Sequence, residues 1–183
     1  MEQFILTPEM VRGARAYLPI QEKYEFSLEY AKNCFDRLQI AAGDEQMPPI
    51  YAENPALKAR YLMYVFVARY LGIETECEPK NAALMTEEEY DRFAGSHIFQ
   101  QLERIKKSNE SLRDKCFDLL ADYYDLCRMF STAVHGYLDV QNDIVTRQYQ
   151  SNREAMEELP KLLETLKDVL PLMQKKEGEQ DAG

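Results

Sequence analysis

Acidic side chains at helical spacing are the residues of this chain best placed to do chemistry. Glu22 with Glu25 and Glu29, Asp118 with Asp122, and Asp122 with Asp125 stand three or four positions apart. On a helix that spacing puts both carboxylates on one face, where they could share a Mg²⁺ ion for metal-assisted hydrolysis. The other chemical residue types offer less. His97 and His135 are the two histidines, and Ala94 and Thr132 stand where a Glu-x-x-His metal motif needs its glutamate. Neither HExxH, nor a glycine-rich phosphate loop, nor GxSxG occurs. Cys34, Cys77, Cys116 and Cys127 form no CxxC pair and are expected as reduced, packed thiols. The expectation is therefore a protein without catalytic residues, metal ligands or cofactor.

The second chemistry is charge itself. Place Asp114 at 0° on a helical wheel and advance 100° per residue. Asp114, Asp118, Asp122, Asp125, Asp139 and Asp143 then fall between about −20° and 80°. On the same wheel Leu112, Cys116, Leu119, Tyr123, Cys127, Phe130, Val134, Tyr137 and Gln141 fall between about 140° and 220°. One register serves both sets, which predicts a stiff helix with an apolar face inward and aspartates outward. That outward placement argues against a metal cage. Asp is also a poorer helix former than Glu, so propensity does not account for the set.

A further acidic segment runs from Ile73 to Asp91, with seven acids against one base, Lys80. If extended, Glu74, Glu76 and Glu78 lie along one edge. Both acidic surfaces are candidate contacts for a basic partner, and a merely solvated surface would account for the same acids. A small basic group, Arg104, Lys106, Lys107, Arg113 and Lys115, interrupts them. Met47, Ile50 and Tyr51, around Pro48-Pro49, are a candidate contact loop, since Met and Tyr are enriched at interfaces.

These residues need helices to position them. Glycine is scarce, with 7 in 183 residues, and strand-like alternation is rare, so the expected fold is all-α. The expected architecture is five or six helices in an irregular bundle around one long helix of about 40 residues. Thr7-Pro8-Glu9 opens a first helix running to Leu18, and Pro19 ends it. A second spans Ile20 to Ala42, with Tyr24, Leu28, Ala31, Phe35 and Leu38 as its apolar stripe. Asp44 to Asn54 is expected as an irregular loop.

Asn54-Pro55 caps a third helix ending at Leu71-Gly72. Its run from Tyr61 to Ala68 is apolar on nearly every face, which marks it as the central element. A loop over 73–85 has room for one short strand. Thr86 and Glu89 form a capping box for a fourth helix to about Lys107, bending at Gly95-Ser96. The long helix spans Glu110 to Tyr149, with a kink point at Gly136. Ser151 and Glu154 cap a last helix with the stripe Met156, Leu159, Leu163, Leu166, Leu170 and Met173, and Pro160 inside it is expected to kink it or delay its start. This gives one helical domain over 1–173 and a disordered polar tail over 174–183.

Length and composition fit a single soluble domain with its own core. Acids outnumber bases 32 to 22, a net charge of −10. That balance disfavours nucleic acid and anionic membranes as partners and favours a basic protein surface. The first residues lack the basic and apolar regions of a targeting signal. The longest apolar run is far short of the roughly 20 residues needed to span a membrane. A cytoplasmic location is expected, as a monomer or a dimer.

Leu6-Thr7-Pro8-Glu9-Met10-Val11-Arg12 and the stretch Asp114-Lys115-Cys116-Phe117-Asp118-Leu119-Leu120-Ala121-Asp122-Tyr123 resemble small proteins of phages and mobile elements in gut bacteria. Size, acidity and the missing catalytic signature are similar to type II-A anti-CRISPR proteins. That resemblance implies a non-enzymatic inhibitor in a bacterial host cell, binding a basic RNA-guided DNA nuclease together with its guide RNA. It carries no individual residue role. Two other readings stand beside it. The acidic pairs are similar to those of metal-dependent all-α nucleotide pyrophosphohydrolases. The long helix would also suit a phage structural or assembly protein, with that helix as a dimer seam.

Overall fold

The computed structural model describes residues 3–33, 35–38, 41–42, 45–46 and 50–180, with side chains at 3–33, 35–36 and 50–164. The chain is mostly helical, with three two-stranded pairings in addition, so all-α holds only approximately. It divides into two units. The first comprises Met1–Leu38 and Tyr51–Asp139, the second Gln39–Ile50 and Val140–Gly183.

The first unit begins with an extended segment clamped by one glutamine. Gln101 Oε1 accepts from the Leu6 N–H at 2.7 Å, and its Nε2 donates to the Phe4 and Ser96 carbonyls at 2.9 and 2.7 Å. Thr7 caps α1 (Pro8–Gly13), accepting from the Met10 N–H. The helix is shorter than expected. Beyond Gly13 the backbone donors go to tertiary acceptors: Arg15 N–H to the Tyr70 carbonyl at 2.8 Å and Leu18 N–H to Asp122 Oδ2 at 2.9 Å. Pro19 also disfavours helical geometry at Leu18.

Helix α2 (Ile20–Asn33) ends nine residues before the expected Ala42. Its buried face is Lys23, Phe26, Ser27, Tyr30 and Ala31, while Tyr24 and Leu28 lie exposed. A continued helix would carry Phe35 onto that open face. Instead the chain turns into strand β1 (Phe35–Leu38), and the Phe35 ring packs on Tyr51 and Tyr137 with centroids 5.2 and 5.6 Å apart. In the second unit, β2 (Ala41–Ala42) and β3 (Glu45–Gln46) pair antiparallel, Ala41 opposite Gln46. Strand β4 (Ile50–Glu53) pairs with β1, where a loop was expected.

Asn54 caps α3 (Pro55–Tyr64), its side chain accepting from the Ala56 and Leu57 N–H groups. The chain continues as a wider π-helical turn over Val65–Tyr70, closed by the Leu71 N–H on the Phe66 carbonyl. Gly72 follows at φ +69°, a left-handed conformation that glycine adopts without a Cβ penalty. Tyr61, Val65, Phe66, Val67 and Tyr70 are fully buried, as expected of a central element. Phe66 sits against Phe99 and Tyr123, at 4.5 and 5.0 Å.

Two strands, not one, fill the next segment: β5 (Cys77–Glu78) and β6 (Asn81–Met85) pair antiparallel with a bulge. Thr86 caps α4 (Glu87–Gly95), accepting from the Glu89 N–H. The bend expected at Gly95-Ser96 is a full break. His97 takes φ +53°, Ser96 Oγ accepts from the Phe4 N–H at 2.8 Å, and α5 (Ile98–Ser108) starts afresh.

A single 3₁₀ turn over Glu110–Leu112 leads into α6 (Arg113–Gln180). One helix thus replaces the long helix and the separately capped last helix. It runs through Gly136, Ser151 and Pro160. Asp143–Arg147 and Arg153–Glu157 pairs, four positions apart and 3.1 Å long, flank the stretch where a break was expected. The expected disordered tail over 174–183 concerns side chains, and in 181–183 whole residues, outside the described ones. Among the described residues no helix is long and apolar enough to cross a membrane.

Candidate binding site

Helix α2 crosses the first half of α6 on a stack of aromatic rings. Tyr30 lies parallel to Phe130, centroids 5.0 Å apart, and tilts on Tyr61 at 5.5 Å. Its hydroxyl donates to Glu53 at 2.6 Å. Tyr30 and Phe130 are fully buried and hold the two helices at a fixed spacing.

A buried polar cluster joins the same two helices. Lys23 of α2 forms an ion pair with Asp122 of α6, and the two side chains keep only 6% and 10% of their exposure. Asp122 also accepts from the Tyr70 hydroxyl at 2.7 Å and from the Leu18 N–H at 2.9 Å. Every charge in the cluster is matched and its carboxylate accepts three donors, the condition under which a buried pair is tolerated. Burial and the Asp122 carboxylate push the Tyr70 hydroxyl far above its ordinary range, so it stays a donor. The Lys23 ammonium also lies 5.1 Å from the centre of the Tyr17 ring.

Above this floor opens a cavity of about 660 Å³. One wall is Ile20, Lys23, Tyr24, Ser27 and Leu28 of α2. The other is Asp125, Arg128, Met129, Thr132 and Ala133 of α6. Ile20, Tyr24 and Leu28 stand at four-residue intervals and are 65%, 53% and 38% exposed. An apolar stripe left open beside a second helix is the geometry that receives an amphipathic helix from another protein. Glu25 and Glu29 are exposed on α2, and Asp118 and Asp139 share the outward side of α6 with Asp125. The groove is mostly apolar inside, with Lys23, Ser27, Arg128 and Thr132 also in its lining, and both helices bear exposed carboxylates.

The aspartate stripe divides in three. Asp114, Asp118 and Asp139 are exposed and, among the described residues, have no ion-pair partner. Asp125 pairs with Arg128, whose hydrogen bond and charge hold its carboxyl below the usual range, and Asp143 pairs with Arg147. Asp122 corrects the expectation outright: it is internal and neutralised by Lys23. At about 80° it lies at the stripe's edge, where α2 packs. Its loss to the cluster also removes the shared member of both candidate metal pairs on this helix. Among the described residues no three His, Cys, Asp or Glu side chains are placed to hold a metal ion.

The other acidic segment divides similarly. Glu74 and Glu76 are exposed. Glu78 is tied to the buried Arg60, which also donates to the Met85 carbonyl at 2.7 Å and reaches Glu87 at 3.4 Å. Of the expected contact loop, Ile50 is exposed, Tyr51 is half-buried against Phe35, and Met47 lies outside the described residues. Cys77, Cys116 and Cys127 are free thiols pushed up by burial, which makes them poor nucleophiles, and Cys34 lies outside the described residues.

The groove wall on α2 was missed because Tyr24, Leu28 and Ala31 read as the core stripe. A competing set, Phe26 and Tyr30, sits on the adjacent face. Two apolar stripes on one short helix signal that it has two neighbours to cover. Comparison with protein families, with curated proteins and with solved structures finds no match to this chain.

Proposed function

We propose that this chain is a non-catalytic binding protein that takes a basic, amphipathic helix of its partner into the α2/α6 groove. One observation carries the reading. An open apolar trough, walled by Ile20, Tyr24 and Leu28 against Met129 and Ala133, lies between two helices that both present exposed carboxylates. Apolar side chains of the guest fill the trough, and its lysines and arginines meet Glu25, Glu29, Asp118 and Asp139. The net charge of −10 speeds and orients that encounter.

The partner class we infer is a basic, nucleic-acid-handling protein, most sharply a type II-A RNA-guided DNA nuclease inhibited by occupation of its basic surface. Sequence resemblance and charge support this finer reading. Binding of the chain to the nuclease, with and without guide RNA, tests it. We expect an affinity that falls steeply with salt and is lost on Tyr24→Gln/Leu28→Gln. Binding that ignores both changes would remove the groove from the account.

A further inference from the structure

Among the described residues one carboxylate lines the groove itself, and the chain's own arginine already holds it. Asp125 is the single acid of that lining, and it accepts from Arg128 Nη2, three positions further along α6. The other cation of the lining, Lys23, is buried and committed to Asp122. Met129 and Ala133 follow Asp125 at four-residue intervals, so the Asp125–Arg128 pair stands at one end of the apolar wall.

This pair is built for exchange. Arg128 keeps 82% of its side-chain exposure and Asp125 53%, and exposed pairs of neighbours on one helix contribute little in water. Among the described residues a single hydrogen bond joins them, whereas a guanidinium that meets a carboxylate squarely makes two. Arg128 also holds the Asp125 carboxyl below its usual range, so the carboxylate stays charged for whichever cation stands beside it.

Resting on the groove reading above, we propose that Arg128 is a resident stand-in for a cation of the guest helix. On docking, a guest arginine or lysine takes Asp125, and Arg128 turns out to solvent. The exchange trades one exposed pair for another that the guest itself shields from water, where opposite charges attract more strongly. Asp125 is then a further acidic contact beside Glu25, Glu29, Asp118 and Asp139, and Arg128 sets how strongly the groove prefers a basic guest.

The test titrates the full chain at low salt with a labelled amphipathic peptide, leucines on one helix face and arginines on the other. Arg128→Gln should tighten binding about 2- to 5-fold. Arg147→Gln removes the same charge from a similar pair that does not line the groove, and should leave affinity unchanged. Asp125→Asn should matter little in the parent chain, whose own arginine satisfies that carboxylate. In the Arg128→Gln background it should weaken binding about 2- to 5-fold. That dependence is the signature of exchange, because a cation that only repels the guest leaves the Asp125 effect equal in both backgrounds. These side chains are exposed, so thermal unfolding should be unchanged. Equal affinity of parent and Arg128→Gln, or an equal Asp125 effect in both backgrounds, would overturn the proposal. The groove reading would still stand if Tyr24→Gln/Leu28→Gln abolished binding. A parent chain that does not bind the peptide, or binding that survives Tyr24→Gln/Leu28→Gln, would overturn that reading and this inference with it.

Discussion

Lys23 and Asp122, 99 positions apart in sequence, form the buried ion pair that fastens α2 to α6 beneath the groove. Asp122 also receives the Leu18 N–H and the Tyr70 hydroxyl. Asp122 thereby ties α6 to the entry to α2, to α2 itself and to the π-helical turn. The groove therefore rests on a residue that does not line it.

Removing either partner alone leaves an uncompensated charge in the interior. Lys23→Met and Asp122→Ala should each cost about 3–5 kcal/mol. Denaturant unfolding followed by circular dichroism measures this. By contrast Asp118→Ala, on the exposed stretch of the same helix, should stay within about 0.5 kcal/mol of the parent. Equal effects at the two positions would mean that Asp122 is no more internal than Asp118.

Stability should fall in alkali. Burial and Asp122 raise the Tyr70 hydroxyl, and burial raises that of Tyr123 well above its ordinary value. In the unfolded chain both phenols ionise near pH 10. A group whose folded value lies above its unfolded value contributes fully below the latter. That contribution is then lost as pH rises past it. Each phenol kept protonated only by the fold should steepen the loss by about 1.4 kcal/mol per pH unit above about pH 10. Tyr70→Phe should flatten the decline, as measured by the denaturation midpoint across that range.

His97 is the one described non-glycine residue with positive φ, and it is exposed at the break between α4 and α5. His97→Gly removes the Cβ strain of the left-handed conformation, about 1–2 kcal/mol, against a gain of unfolded-chain freedom of about 0.4–1 kcal/mol. A net stabilisation of up to about 1.6 kcal/mol is expected in thermal unfolding. His97→Val, β-branched, should instead destabilise.

Three helix starts were readable because caps are local chemistry, whereas the Ser151/Glu154 box lies inside α6 and the start of α5 at Ile98 carried no cap signal. Thr7-Pro8, Asn54-Pro55 and Thr86 with Glu89 all mark real beginnings, and the Tyr61–Ala68 run is central. Ends were harder, because they are set by distant acceptors. The Tyr70 carbonyl and Asp122 draw off the donors of Arg15 and Leu18 and cut α1 short. Strand β1 was hidden because Phe35 kept the helical spacing of α2 while its packing partners, Tyr51 and Tyr137, lay elsewhere in the chain. For the site, the outward aspartates Asp114, Asp118 and Asp139 were legible from the wheel. The inward turn of Asp122 was not, since it depends on a lysine 99 residues away. The groove was invisible because an exposed apolar stripe and a buried one have the same period.

The α2/α6 groove itself predicts a separation of folding from binding. Tyr24→Gln and Leu28→Gln alter exposed side chains and should each change stability by no more than about 0.5 kcal/mol. Asp114→Asn/Asp118→Asn/Asp139→Asn should likewise leave the fold intact. It should slow association with a basic partner and reduce its dependence on salt. Stopped-flow association at several ionic strengths reads both effects.

The most direct measurement is the equilibrium affinity of the full chain and of Tyr24→Gln/Leu28→Gln for a guide-loaded type II-A RNA-guided nuclease, over a series of salt concentrations. Tight binding by the parent chain, weakening as salt rises, is expected, with a loss of at least about 100-fold, or about 2.7 kcal/mol, in the groove variant. Equal affinity for parent and variant, or no binding by the parent at low salt, would contradict it.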